Sequence, residues 1–131
     1  MKKRVFSIAL CLVVVLSLAI GVYAESTPQP RWSYISYMTA GINSGYIGGS
    51  VDLYNRDFRV NITVTLQHWN SGWSDTSSSW SGSGTGSATA SNSSLSLGTG
   101  LWRAKVTAKV YNSGGVIIET ATVYSDDCLI N

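Results

Sequence analysis

The chain has 131 residues, with nine Lys plus Arg against seven Asp plus Glu and a formal net charge of +2. Lys2, Lys3 and Arg4 supply three of those basic residues; the remainder carries six against seven, a net of about −1. No cationic face is left to attract nucleic acid or anionic lipid, so nucleic acid is excluded as a partner.

Residues 1–24 have the layout of a secretory signal peptide. The basic head is followed by an apolar run over 5–22, and Val22-Tyr23-Ala24 offers small-enough residues at the positions a signal peptidase reads, with cleavage between Ala24 and Glu25. The run overlaps the lower limit for a membrane span, but Ser7, Ser17 and Gly21 interrupt it and no basic stop-transfer cluster follows. The expectation is a signal peptide helix and a secreted product, extracellular or at the cell surface, touching membrane only through an uncleaved signal. Cys11 departs with the signal, leaving Cys128 without an internal partner. An unpaired cysteine in an exported protein points to an intermolecular disulfide or a free thiol, hence a monomer or a Cys128-linked dimer.

A short polar segment, 25–30, ends in Pro28 and Pro30, and residues 31–131 read as a single domain of about the common size. Strands are predicted over 32–42 and 46–54, with Asn43-Ser44-Gly45 turning between them. Phe58, Val60, Ile62, Val64 and Leu66 then alternate with polar neighbours, as a strand with one buried face requires. Residues 70–100 are almost all Ser, Gly, Thr and Asn. Within them Gly86, Ala88 and Ala90 alternate thinly enough for a solvated edge strand, and 81–85 are expected to be mobile. Trp102, Ala104, Val106, Ala108 and Val110 alternate again, and Asn112-Ser113-Gly114-Gly115 can reverse the chain into a return strand over 116–125. Six or seven short antiparallel strands suggest an all-β sandwich of two sheets.

Gly100-Leu101-Trp102-Arg103-Ala104 resembles the start of an immunoglobulin-type strand F. Trp102 falls where a corner tyrosine often sits, and Ala104 takes the place of the usual cysteine. The resemblance implies an immunoglobulin-like antiparallel sandwich without the core disulfide. This last third, with Glu119-Thr120-Ala121-Thr122-Val123-Tyr124-Ser125, is similar to short secreted β-sandwich proteins of Gram-positive bacteria that have no assigned function. More loosely, it resembles the lactococcin type of bacteriocin, which implies an antibacterial protein acting on cell-wall precursor.

Chemistry is sparse. His68 is the only histidine, so histidine-based metal clusters are excluded, and a Cys128–His68 nucleophile pair has no evident group to orient the imidazole. Asp57 lies between Arg56 and Arg59, where local charge balance is its natural role, and no glycine-rich loop carries the lysine of a phosphate cradle. No metal, cofactor or catalytic residue is expected. Asn61-Ile62-Thr63 matches the glycosylation triplet, which matters only in a glycosylating host. What remains is aromatic: Trp69, Trp73 and Trp80 flank the Ser/Gly-rich segment, and Trp69 falls opposite Ile62, Val64 and Leu66. Exposed, such rings could stack on sugars or on a partner's apolar patch. The expectation is a secreted non-catalytic module that binds a partner protein or a cell-wall glycan, with a bacteriocin-like antibacterial protein as the alternative.

Overall fold

The computed structural model describes residues 31–131. The signal peptide, its Ala24–Glu25 cleavage site and the 25–30 segment lie outside the described residues. Among the described residues the chain is all-β, with eight strands: β1 (Ile35–Asn43), β2 (Tyr46–Leu53), β3 (Arg59–Trp69), β4 (Trp73–Thr85), β5 (Ser87–Asn92), β6 (Gly100–Tyr111), β7 (Ile117–Tyr124) and β8 (Cys128–Ile130). They form two open antiparallel sheets. One has the order β1-β2-β5; the other runs β4-β3-β6-β7, with β8 also paired to β6.

Alternation decides what each sheet buries. On β3, Val60, Ile62, Val64 and Leu66 are buried while Arg59, Asn61, Thr63 and Thr65 turn outward. Ala104, Val106, Ala108 and Val110 of β6 stand beside them in register, Val64 opposite Val106. Ile47, Val51 and Leu53 of β2, with Ile35 and Met38 of β1, join the same core. A register shift between Ile35 and Tyr37 puts one extra residue into β1, which lets both Ile35 and Met38 point inward.

The Ser/Gly-rich segment is more ordered than its composition suggests. Residues 81–85, expected to be mobile, belong to β4, a strand of 13 residues paired along β3. Its inward positions are Trp80, Gly82 and Gly84, and the glycines serve a close approach. A Cβ on Gly82 would run into the Thr89 carbonyl oxygen, and one on Gly84 into that of Ser87. The backbone of β5 takes the space a hydrophobic side chain would fill, so the usual alternation is missing from the sequence. Gly86, at φ +79°, then carries the chain from the edge of one sheet to the edge of the other. Its carbonyl accepts from Leu53 N at 2.9 Å and from Arg56 at 3.0 Å. β5 is an edge strand as expected, but its Ala88 and Ala90 are buried.

The far end corrects the expected strand count. Residues 128–130, beyond the last predicted strand, form β8, which pairs Cys128 with Trp102 and Ile130 with Gly100. The strand count is therefore eight, not six or seven. Ser125 bridges β7 and β8, its hydroxyl accepting from Ala104 N at 2.8 Å.

Glu119 fastens the opposite edge. Although it lies on a strand that opens the return of the hairpin, its side chain turns to the inner face between β7 and β1. Its carboxylate accepts from the backbone N–H groups of Ser33 (2.9 Å), Tyr34 (3.1 Å) and Ile35 (3.1 Å). Three donors at the start of β1 are thus paired.

Val64→Asp would bury an uncompensated charge between the sheets and should abolish the cooperative thermal transition. Gly82→Ala should cost about 1–3 kcal/mol through overpacking. Gly41→Ala, where a Cβ meets no neighbour within 4 Å, should leave the melt close to wild type. Equal melting temperatures for the Gly82 and Gly41 variants would refute the close approach of β4 to β5.

Candidate aromatic and arginine site on the outer face

β3 leads into β4 through Asn70-Ser71-Gly72, where Ser71 takes a positive φ of 58° and Gly72 one of 156°. This three-residue reversal sets Trp69 directly opposite Trp73. The rings meet edge to face, 5.4 Å apart at 69°, an arrangement suited to the aromatic quadrupole. Both project from the outer face of the four-strand row, and Trp69 keeps 46 % of its surface exposed.

Trp80 does not join them. It pairs with Val64, a core residue, so it faces inward and packs against the core. Trp73 and Trp80 are seven positions apart, and even across the register shift between them their β3 partners, Trp69 and Val64, lie on opposite faces. The expected group of three is a surface pair plus one core ring.

The pair has polar company. Gln67 is 6 % exposed, and both ends of its amide are used. Its Oε1 accepts from Arg103 Nε at 2.7 Å and its Nε2 donates to Asp75 Oδ1 at 2.8 Å. The donor on one side and the carboxylate on the other fix which way the amide points. Asp75 Oδ2 in turn accepts from Lys105 Nζ at 2.8 Å. The Arg103 guanidinium lies between two rings, 4.3 Å from the centre of Trp73 and 4.0 Å from that of Tyr124. Each cation–π contact at such a site contributes about 0.5–1 kcal/mol. Tyr124 is itself half exposed.

A chain of contacts therefore runs across four strands, from Trp69 and Trp73 through Arg103 to Tyr124, braced from below by Gln67, Asp75 and Lys105. Trp69 was readable from the sequence as an aromatic on the polar side of an alternation, and Trp73 only as a tryptophan flanking the Ser/Gly-rich segment. Gln67, Asp75, Arg103, Lys105 and Tyr124 were not, because only the register between strands brings them together. The hydrogen bonds from Lys105 and then Gln67 hold the Asp75 carboxyl below its ordinary value near 3.8. It stays ionised at neutral pH, which suits bracing and not proton donation.

His68, Trp102 and Cys128 lie in one row on the inner side of the same sheet end. His68 and Cys128 are the cross-strand neighbours of Trp102 on its two sides. That separates their strands by two spacings, about 10 Å, and the indole of Trp102 stacks on the imidazole at 4.2 Å. Trp102 Nε1 donates to the Gly98 carbonyl at 2.9 Å. The geometry does not assemble a Cys128–His68 nucleophile pair. Among the described residues, no three of His, Cys, Asp and Glu come together as a metal site, and no helix is long and apolar enough to cross a membrane.

Because folding lowers the Asp75 value, its contribution to stability is present above the unfolded value and is lost as pH falls through the folded one. Asp75→Asn should therefore be less stable than wild type near pH 7, and the gap in urea melts should close as pH drops below about 4. A gap unchanged down to pH 2 would remove the ionised carboxylate from the network. No protein-family model matches this chain, and no curated protein matches it significantly in sequence.

Proposed function

We propose that the chain is a secreted, non-catalytic binding module that docks a cell-surface glycan on the outer face of its larger sheet. The observation that carries this reading is the Trp69 and Trp73 pair, Trp69 half exposed and Trp73 partly so, with Arg103 clamped between Trp73 and Tyr124. Sugar rings present axial C–H faces that stack on flat aromatic surface, and a platform works best when its rings are already held in place. Here the order is built in before any ligand arrives, because Gln67, Asp75 and Lys105 hold the arginine that holds the rings. Secretion rests on the leader sequence, and a monomer or a dimer bridged through Cys128 is the assembly this reading includes.

The frame we propose for it is an immunoglobulin-like sandwich. The pairings β2–β5, β3–β6 and β6–β7 correspond to B–E, C–F and F–G of that architecture, with β6 as strand F. The bond from Trp102 Nε1 back to Gly98 plays the part of the corner tyrosine.

The test is sedimentation of purified protein with isolated bacterial cell walls. Trp69→Ala combined with Trp73→Ala should weaken binding about 5- to 150-fold, at about 0.5–1.5 kcal/mol for each ring, with the domain still folded and its melt lowered only by the lost ring contacts. Equal binding by the double variant would dismiss the platform. Binding that survives removal of the glycan but not of wall-attached proteins would assign the face to a protein partner instead.

A further inference from the structure

At the other end of the same outer face lies an open cavity of about 320 Å³, lined by Asp57, Arg59, Asn61, Tyr111, Asn112 and Ser113 among others. That is the lower end of the range for small-ligand pockets, roughly 300–1,000 Å³. Asn61 forms part of its wall, on β3 between Ser83 of β4 and Lys109 of β6. Its Nδ2 donates to the Tyr111 hydroxyl at 3.4 Å, and its Oδ1 is buried with no partner. Turning the amide over does not cure this. The single tyrosine hydroxyl can serve one end of the amide, and the other end is orphaned whichever way it points. An unpaired buried polar atom costs about 1–3 kcal/mol, so a valine or leucine here would be the more stable choice.

A ligand in the cavity reaches this atom only if the amide turns outward, and the remaining groups define which ligands fit. Asp57 and Arg59 bring opposite charges to one rim, and neither is ion-paired among the described residues. The carboxylate repels an anion and the guanidinium repels a cation. A neutral ligand with both donors and acceptors suits both, and Tyr111 supplies a ring beside it. Asn112 is already committed, its Oδ1 accepting from Gly114 N and Val116 N.

Asn61 and Trp69 are eight residues apart on β3 and point the same way, so about 26 Å separates the two ends of the face. Between them the surface is low and hydroxyl-rich. Thr63 pairs with Ser81 and Thr107 with Thr122 through their side-chain oxygens. We infer that the Asn61 cavity is a second subsite for a neutral sugar unit, and that the outer face is a track for one extended glycan chain reaching from Trp69 and Trp73 to Asn61. This rests on the glycan reading proposed above and adds to it a direction, a length and a terminal recognition group.

The experiment is isothermal titration with β-1,4-linked N-acetylglucosamine oligomers from the dimer to the hexamer, using wild type, Asn61→Val and the Trp69→Ala, Trp73→Ala double variant. Affinity for wild type should rise with length. Asn61→Val should weaken the hexamer about tenfold while leaving the dimer unchanged, and should melt at the same temperature as wild type or higher. The double tryptophan variant should lose both. Unchanged hexamer affinity in Asn61→Val, alongside loss in the tryptophan variant, overturns the second subsite and leaves the aromatic platform standing. A lower melting temperature for Asn61→Val also overturns it, by making the amide structural. No binding of any length by wild type overturns the track for this glycan, while the platform stands or falls by the cell-wall sedimentation above.

Discussion

Everything on the outer face depends on the phase of β3. This strand is hydrogen-bonded on both sides, to β4 and to β6, and its even-numbered residues from Val60 to Leu66 are core. Since side chains alternate, the odd-numbered residues are committed to the opposite surface, and a slip of one position would bury Asn61 and Thr63 while exposing four aliphatic side chains. Four such side chains, each worth about 1.5–3 kcal/mol when buried, make that slip prohibitive. The core thus selects the register, and the register puts Asn61, Gln67 and Trp69 in one line. Neighbouring strands then bring Asp75, Arg103, Lys105 and Tyr124 to Gln67 by the same rule.

How much of this was legible in the sequence differs from strand to strand. β3 and β6 announce themselves because their inner positions are aliphatic and their outer ones polar. The turn after β6 is equally plain, Asn112 being able to cap Gly114 and Val116 with its own side chain. β4 is opaque for a physical reason. Its inner positions beyond Trp80 are filled by the backbone of β5, so glycine is required where a strand is ordinarily recognised by valine or isoleucine. β8 is three residues long and gains its place only from the free edge of β6, which no local pattern encodes. At the site, the parity of Trp69 was readable, but the opposite facing of Trp73 and Trp80 was not, because it needs β4 to be known as a strand. The clamp on Arg103 was not, since it depends on two strand pairings separated by dozens of residues.

The site combines two kinds of polar group with opposite energetics. Gln67 is buried and fully bonded, so it fixes the geometry around it. Asn61 is half-buried with one amide atom unanswered. One strand therefore holds, eleven residues long and on the same face, a satisfied amide that stabilises the fold and an unsatisfied one that does not. Contrast of that kind separates scaffolding from recognition more sharply than exposure alone.

The Glu119 carboxylate carries a consequence for how the chain acquires its structure. The amides of Ser33, Tyr34 and Ile35 wait for a partner 84 to 86 positions further along. β1 can pair locally with β2, but the amides at its start gain their partner only once the last hairpin is in place. Such long sequence separation slows closure, because the loop entropy must be lost before the contact repays it. By that reasoning the contact between Glu119 and the start of β1 belongs among the last to form, when the final hairpin meets the opening of the domain.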